Sequence, residues 1–172
     1  FAVLIYGIPY LKSNQFKTLQ NNANQNNNFD GYHSIVGAGT GLGISRGIIS
    51  KTEIIVLPSE GGHIEFAPKT YDEWELKQWL KNHLNIERVS YERIISGEGL
   101  SNIAKWKLSK EDNRDHPFHQ YLEEAKESKI IEKGLAGKIC QLAKEGDSLM
   151  SDIEKLWFNA YSSFIGDLAI HE

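Results

Sequence analysis

Glycines fall at 37, 39, 41, 43 and 47, between runs of β-branched residues, and no other stretch restricts the chain so tightly. Ser34-Ile35-Val36 precedes them; Ile48-Ile49 and Thr52-Glu53-Ile54-Ile55-Val56-Leu57 follow. β-Branched side chains suit a pleated strand, and glycine permits tight turns. Residues 32–57 are therefore expected to form three short antiparallel strands joined by tight turns, with Pro58 ending the last. Alternating glycines also let the backbone approach a ligand closely. In Gly37-Ala38-Gly39-Thr40-Gly41-Leu42-Gly43 successive N–H groups would face one concavity, which suits phosphate oxygens, and Thr40 adds a hydroxyl. The stretch lacks the Gly-Lys-Ser/Thr ending of a Walker loop, and a strand pattern follows it where a dinucleotide fingerprint would open a helix. By itself it reads equally as a plain hairpin or as a phosphate loop.

Helices dominate the remainder. Phe1 to Leu11 is apolar and broken by Pro9, the pattern of a helix end and a turn. Residues 20–28 are a polar Asn/Gln tract with nothing to bury, expected as a solvated loop. After Pro68, Thr70 or Asp72 can cap a helix with Trp74, Leu76, Trp79, Leu80 and Leu84 on one core face. Ser96-Gly97-Glu98-Gly99 leads into a helix with Leu100, Ile103, Ala104 and Leu108 inward. Two more helices are expected near 118–145 and 149–170, the first interrupted around Gly134 and Gly137. A small sheet followed by helices is α+β locally and fits within a larger α/β body.

The 172 residues carry four Trp, seven Tyr and seven Phe, with 40% hydrophobic residues, enough for a core. A formal net charge of −4 and a pI near 5.9 argue against a general nucleic-acid binder. The single cysteine, Cys140, allows no internal disulfide and no cysteine-rich zinc site, and fits a reducing compartment. No apolar run approaches the roughly 18–20 residues that cross a bilayer. The apolar opening at Phe1, which lacks a basic leader, and the close at Glu172, straight after a helical pattern, are both expected to be cuts inside a longer protein.

Two further strings carry polar residues in suggestive places. In Leu57-Pro58-Ser59-Glu60-Gly61-Gly62-His63, a helix would set Glu60 and His63 on one face for a metal, but paired glycines argue for a turn. A turn converging a carboxylate and an imidazole suits a polyhydroxyl ligand, the first accepting hydroxyl hydrogens and the second donating or accepting. A surface turn with incidental polar residues fits equally, and no third or fourth zinc ligand is near. In Val89-Ser90-Tyr91-Glu92-Arg93-Ile94-Ile95, Glu92 sits in an apolar stretch where a charge is costly unless paired, and Arg93 is the neighbouring cation. His116 and His119 read as exposed loop residues.

Taken in order, Gly39-Thr40-Gly41-Leu42-Gly43, the string from Leu57 through His63 to Ile64-Glu65-Phe66-Ala67-Pro68, and the string from Val89 to Gly97 closely resemble the bacterial-type glucokinase family. The middle string is the most specific, and the resemblance covers nearly the whole chain. It implies the actin-like, ribonuclease H-like ATPase fold, with two α/β domains closing over ATP and glucose. It implies transfer of the γ-phosphoryl group of Mg-ATP to the glucose 6-hydroxyl. By the same resemblance Glu60, His63 and Glu92 would hold glucose, and the hairpin Gly39, Thr40, Gly41 and Gly43 would face the ATP phosphates. Glu98 stands where the family more often has proline.

The family's catalytic aspartate belongs to an Asn-Asp-Phe string whose Phe matches Phe1, so it is expected just before the first residue. The amino-terminal phosphate loop and the adenosine-binding segment are likewise unmatched. Residues 1–172 then read as one fragment, mostly of the larger sugar-binding domain, with negligible kinase activity on its own in an ADP-release assay. A positioned base typically contributes about 10²- to 10⁴-fold. The alternative is a non-catalytic sugar-binding or sensing module on the same scaffold. Zinc-motif sugar kinases and repressors are disfavoured, because no Cys-x-Cys follows His63 and no helix-turn-helix precedes it. The resemblance also implies a cytoplasmic protein with glucose and ATP as partners, no membrane or nucleic acid, and a homodimer that the C-terminal helices would join.

Overall fold

A computed structural model describes residues 2–15, 17 and 29–171. The polar tract at 20–28 lies outside them. The chain divides into two compact units: described residues up to Gly37 with Gly43–Gly61 form the first, and Ala38–Leu42 with Gly62–His171 form the second.

In the first unit, helix α1 (Ala2–Gly7) runs into a 3₁₀ turn at Ile8–Tyr10, where Pro9 stops the α-helix. Three strands follow, β1 (Gly31–Ala38), β2 (Leu42–Ile49) and β3 (Ile54–Leu57), in the sheet order β1-β2-β3. β2 and β3 are antiparallel, with Ile48 opposite Ile55 and Ile49 opposite Ile54. Two details differ from the sequence expectation. The central strand starts at Leu42 and runs straight through Gly43 and Gly47, while β3 begins two residues late because Ser50 turns the chain. The Ser50 hydroxyl accepts the Glu53 N–H at 3.1 Å, and the Ser50 N–H donates to the Glu53 carbonyl at 2.9 Å. Gly47 sits in a strand where a Cβ would lie 2.7 Å from Ile5 Cγ2 of α1 and 2.8 Å from the Ile55 carbonyl oxygen of β3. Ile5 is fully buried.

The second unit is helical. A short antiparallel bridge, Glu65 opposite Ser90, joins the segment before α2 (Tyr71–Leu84) to the segment after it. Then come α3 (Gly97–Leu108), α4 (Phe118–Glu127), α5 (Lys129–Lys144) and α6 (Ser148–His171). α3 is the hub, packed against α2, α5 and α6. Its inward residues Leu100, Ile103, Ala104 and Leu108 are buried, as their spacing predicts. α2 starts with a capping box, in which the Thr70 hydroxyl takes the Glu73 N–H while the Glu73 carboxylate takes the Thr70 N–H.

Three expectations in this unit are corrected. Trp74 is about half exposed and stacks on Tyr71, and Trp79 lies on His83 at 4.2 Å, so only Leu76 and Leu80 of that face are fully buried. The helical stretch 118–145 breaks at Ser128, which is extended (φ −134°, ψ 110°), while Gly134 and Gly137 continue within α5. His116 is half-buried and its Nε2 sits 3.1 Å from Asp147 Oδ2; His119 belongs to α4, its Nε2 3.0 Å from the Asn113 carbonyl oxygen. Among the described residues no helix is long and apolar enough to cross a membrane. A small sheet with helices after it is the expected α/β character.

Candidate functional site

Glu92 lies in a single 3₁₀ turn, Tyr91–Arg93, between the Glu65–Ser90 bridge and α3. Apolar neighbours pin this turn. Tyr91 is buried against Phe66 (ring centroids 5.3 Å apart) and Phe164 (4.4 Å), and that burial pushes its hydroxyl above the usual tyrosine range. Ile94 and Ile95 are fully buried on the other side. The carboxylate between these anchors remains about one-third exposed. Arg93, its neighbouring cation, turns away to Glu98 at 3.8 Å.

The Glu92 oxygens have separate partners. Oε2 accepts the Leu42 N–H at 2.9 Å, and Oε1 stands 3.9 Å from His63 Nδ1. The second distance is beyond a direct hydrogen bond. Both side chains are reachable from solvent, so a hydroxyl-bearing ligand can meet an acceptor and an imidazole together.

Leu42 ends the tip of the glycine hairpin. Within that tip the Gly39 N–H donates to the Gly41 carbonyl at 2.8 Å, and the Gly97 N–H donates to the Gly39 carbonyl at 2.8 Å. Gly39 and Thr40 are exposed. A Cβ on Gly41 would lie 2.6 Å from Glu92 Oε2, so any larger residue there must displace that carboxylate.

His63 ends a 3₁₀ turn, Gly61–His63, so the paired glycines make a turn and not a helix. Gly62 is forced as well: a Cβ would lie 2.2 Å from the Leu42 carbonyl oxygen. Arg88 Nη1 donates to the His63 carbonyl at 2.8 Å. The second unit thus brings His63, Glu92 and residues 39–42 together. Glu60, exposed, and Gly43, in β2, belong to the first unit.

Sequence reasoning passed over three residues that hold this arrangement. The Ser96 hydroxyl caps α3 by accepting the Gly99 N–H at 2.9 Å and donates to the Glu92 carbonyl at 2.6 Å. Asn102 donates to the Arg93 carbonyl at 3.1 Å, and the Trp157 indole N–H donates to the Ser96 carbonyl at 3.1 Å. A serine before Gly-x-Gly at a helix start is a readable cap. The other two contacts end on backbone carbonyls and leave no mark in a sequence. Among the described residues no three His, Cys, Asp or Glu side chains converge on a metal position.

Comparison with known proteins agrees on one family. The glucokinase family model matches residues 1–172. A glucokinase of Nostoc sp. is 33% identical over 179 residues, covering 99% of this chain and 50% of that protein. A glucokinase of Synechocystis sp. is 33% identical over 181 residues, with 99% and 49% covered. The chain therefore spans about half the length of these curated relatives. A glucokinase crystal structure from an Antarctic psychrotroph superposes with a TM-score of 0.67 at 24% identity, over 99% of this chain and 47% of that one. One from Balamuthia mandrillaris, in complex with glucose, gives 0.62 at 24% identity, over 82% and 37%. At those identities the structural likeness speaks for the fold.

Proposed function

The chain belongs to the glucokinase family, and we propose that it supplies the sugar-holding residues of an ATP-dependent glucose kinase. Glu60, His63 and Glu92 grip the hexose, and the hairpin residues Gly39, Thr40, Gly41 and Gly43 face the ATP phosphates. The observation that carries this reading is the pairing of Glu92 with His63 at 3.9 Å, beside a solvent-exposed glycine turn fixed by the same carboxylate.

Carboxylates accept hydroxyl hydrogens, and an imidazole donates or accepts, so together they fix a hexose by its ring of hydroxyls. In the reaction the 6-hydroxyl oxygen bonds to the γ-phosphorus as the bond to the bridging oxygen breaks. ADP leaves, and the hydroxyl proton passes to a base outside this set. Such transfers rely chiefly on positioning and charge stabilisation, which is what rigid sugar contacts supply. The related Balamuthia enzyme, solved in complex with glucose, supports glucose as the sugar. Mg²⁺ is the usual companion of ATP in kinases, held there by one or two carboxylates together with the phosphates. The reading places the protein in the cytoplasm; a homodimer through the C-terminal helices is the assembly it favours.

A carboxylate accepting two sugar hydroxyls forms charged hydrogen bonds of about 1.5–3 kcal/mol each. Glu60→Ala in the full-length gene product should then lower kcat/KM for glucose by about 10²-fold or more in a coupled ADP-release assay. Unchanged kinetics would refute the assignment. Glucose binding by calorimetry with no turnover in the intact wild-type product would favour a non-catalytic sugar-sensing module instead.

A further inference from the structure

We infer that Glu92 is a positioning residue for the glycine-rich hairpin, so that one carboxylate couples hexose binding to nucleotide binding. The inference rests on the functional reading above and adds a physical link between its two halves. One oxygen of Glu92 faces His63, and the other holds the Leu42 N–H at 2.9 Å. The carboxylate has little freedom to serve one partner without the other. Its backbone is fixed by buried Tyr91 and by the Ser96 hydroxyl on its carbonyl.

The hairpin side is equally confined. A Cβ on Gly41 would meet Glu92 Oε2 at 2.6 Å and its Cδ at 3.3 Å, so the turn rests directly against the carboxylate. The Gly97 N–H holds the Gly39 carbonyl, and the Leu42 carbonyl sits against Gly62, one residue before His63. A hexose that draws on Glu92 therefore acts on the element proposed to face the phosphates. Ligand linkage is reciprocal, so a nucleotide that orders the hairpin must favour the carboxylate orientation the sugar needs. Couplings of this kind commonly amount to about 5- to 150-fold in affinity.

The test is calorimetry on the full-length protein in two arms. In the first, a non-hydrolysable ATP analogue is titrated without sugar. Glu92→Ala should weaken its binding at least fivefold, although Glu92 is assigned no nucleotide contact. Glu92→Gln, whose amide oxygen still accepts the Leu42 N–H, should stay within twofold of wild type. In the second arm glucose is titrated without nucleotide. Gly41→Ala should weaken it at least fivefold, whereas Gly137→Ala in α5, whose Cβ meets nothing within 4 Å, should stay within twofold. Wild-type analogue affinity in Glu92→Ala, a Glu92→Gln as weak as the alanine variant, or wild-type glucose affinity in Gly41→Ala would each overturn the inference. Should circular dichroism show Gly41→Ala unfolded, the first arm decides. A wild-type protein that binds neither ligand defeats the functional reading itself; one that binds both, with unaffected variants, defeats only the coupling.

Discussion

The carbonyl oxygen of Ile94 lies 2.1 Å from where a Cβ on Gly99 would sit, while a Cβ on Gly134 would meet nothing within 4 Å. Both glycines are in helices, yet adding a methyl to each should have opposite effects. Gly99→Ala must push backbone apart beneath the Glu92 turn, and should cost at least about 2 kcal/mol in denaturant unfolding. Gly134→Ala should gain about 0.5–1 kcal/mol from helix propensity alone. A Gly99→Ala protein as stable as wild type would contradict this. Cys140 gives a prediction of another kind. Burial is the largest cause holding its thiol up at about 11, with the nearby Glu154 adding to it. At pH 8 only about one thiol in a thousand is then ionised, and the thiolate is the reactive form. Iodoacetamide labelling of the folded protein should be slow at pH 8 and quicken as pH approaches 11; labelling at the rate of a free thiol would contradict this. At this scale the sequence exposed the kinds of residue and not their partners. Glu92 in an apolar run called for a partner, and Arg93 was the visible one. The partners found, Leu42 and His63, lie 50 and 29 positions away in the chain, where only the fold could bring them.

Elements were more legible, because spacing and capping act within a few residues. Thr70 followed three positions later by Glu73 marks the start of α2, and both capping hydrogen bonds form. Thr70→Ala should cost about 1 kcal/mol of unfolding free energy, measured by urea titration. A loss below the error of that titration would mean the cap adds nothing to α2. The glycines at 134 and 137 misled because glycine is a weak helix breaker; the real break falls at Ser128, whose extended backbone no propensity scale singles out. Trp74 misled through periodicity, which assigns a face but not whether anything covers it. The β2 strand keeps a glycine at 47 because Ile5 and the Ile55 carbonyl crowd that position, a tertiary demand that local residue preferences do not contain.

For the molecule as a whole, the family could be read from three short strings, each of which proves to carry backbone geometry as well as side chains. Gly41 and Gly62 belong to those strings: a Cβ would meet the Glu92 carboxylate at the first and the Leu42 carbonyl at the second. Glu60, His63 and Glu92 are proposed to hold one hexose. The most direct test is titration of D-glucose into the full-length protein and into Glu60→Ala, His63→Ala and Glu92→Ala by isothermal calorimetry. One glucose should bind per wild-type chain, and each variant should bind it at least about tenfold more weakly, the loss of one charged hydrogen bond or more. Variants that bind glucose as tightly as wild type would contradict the proposal.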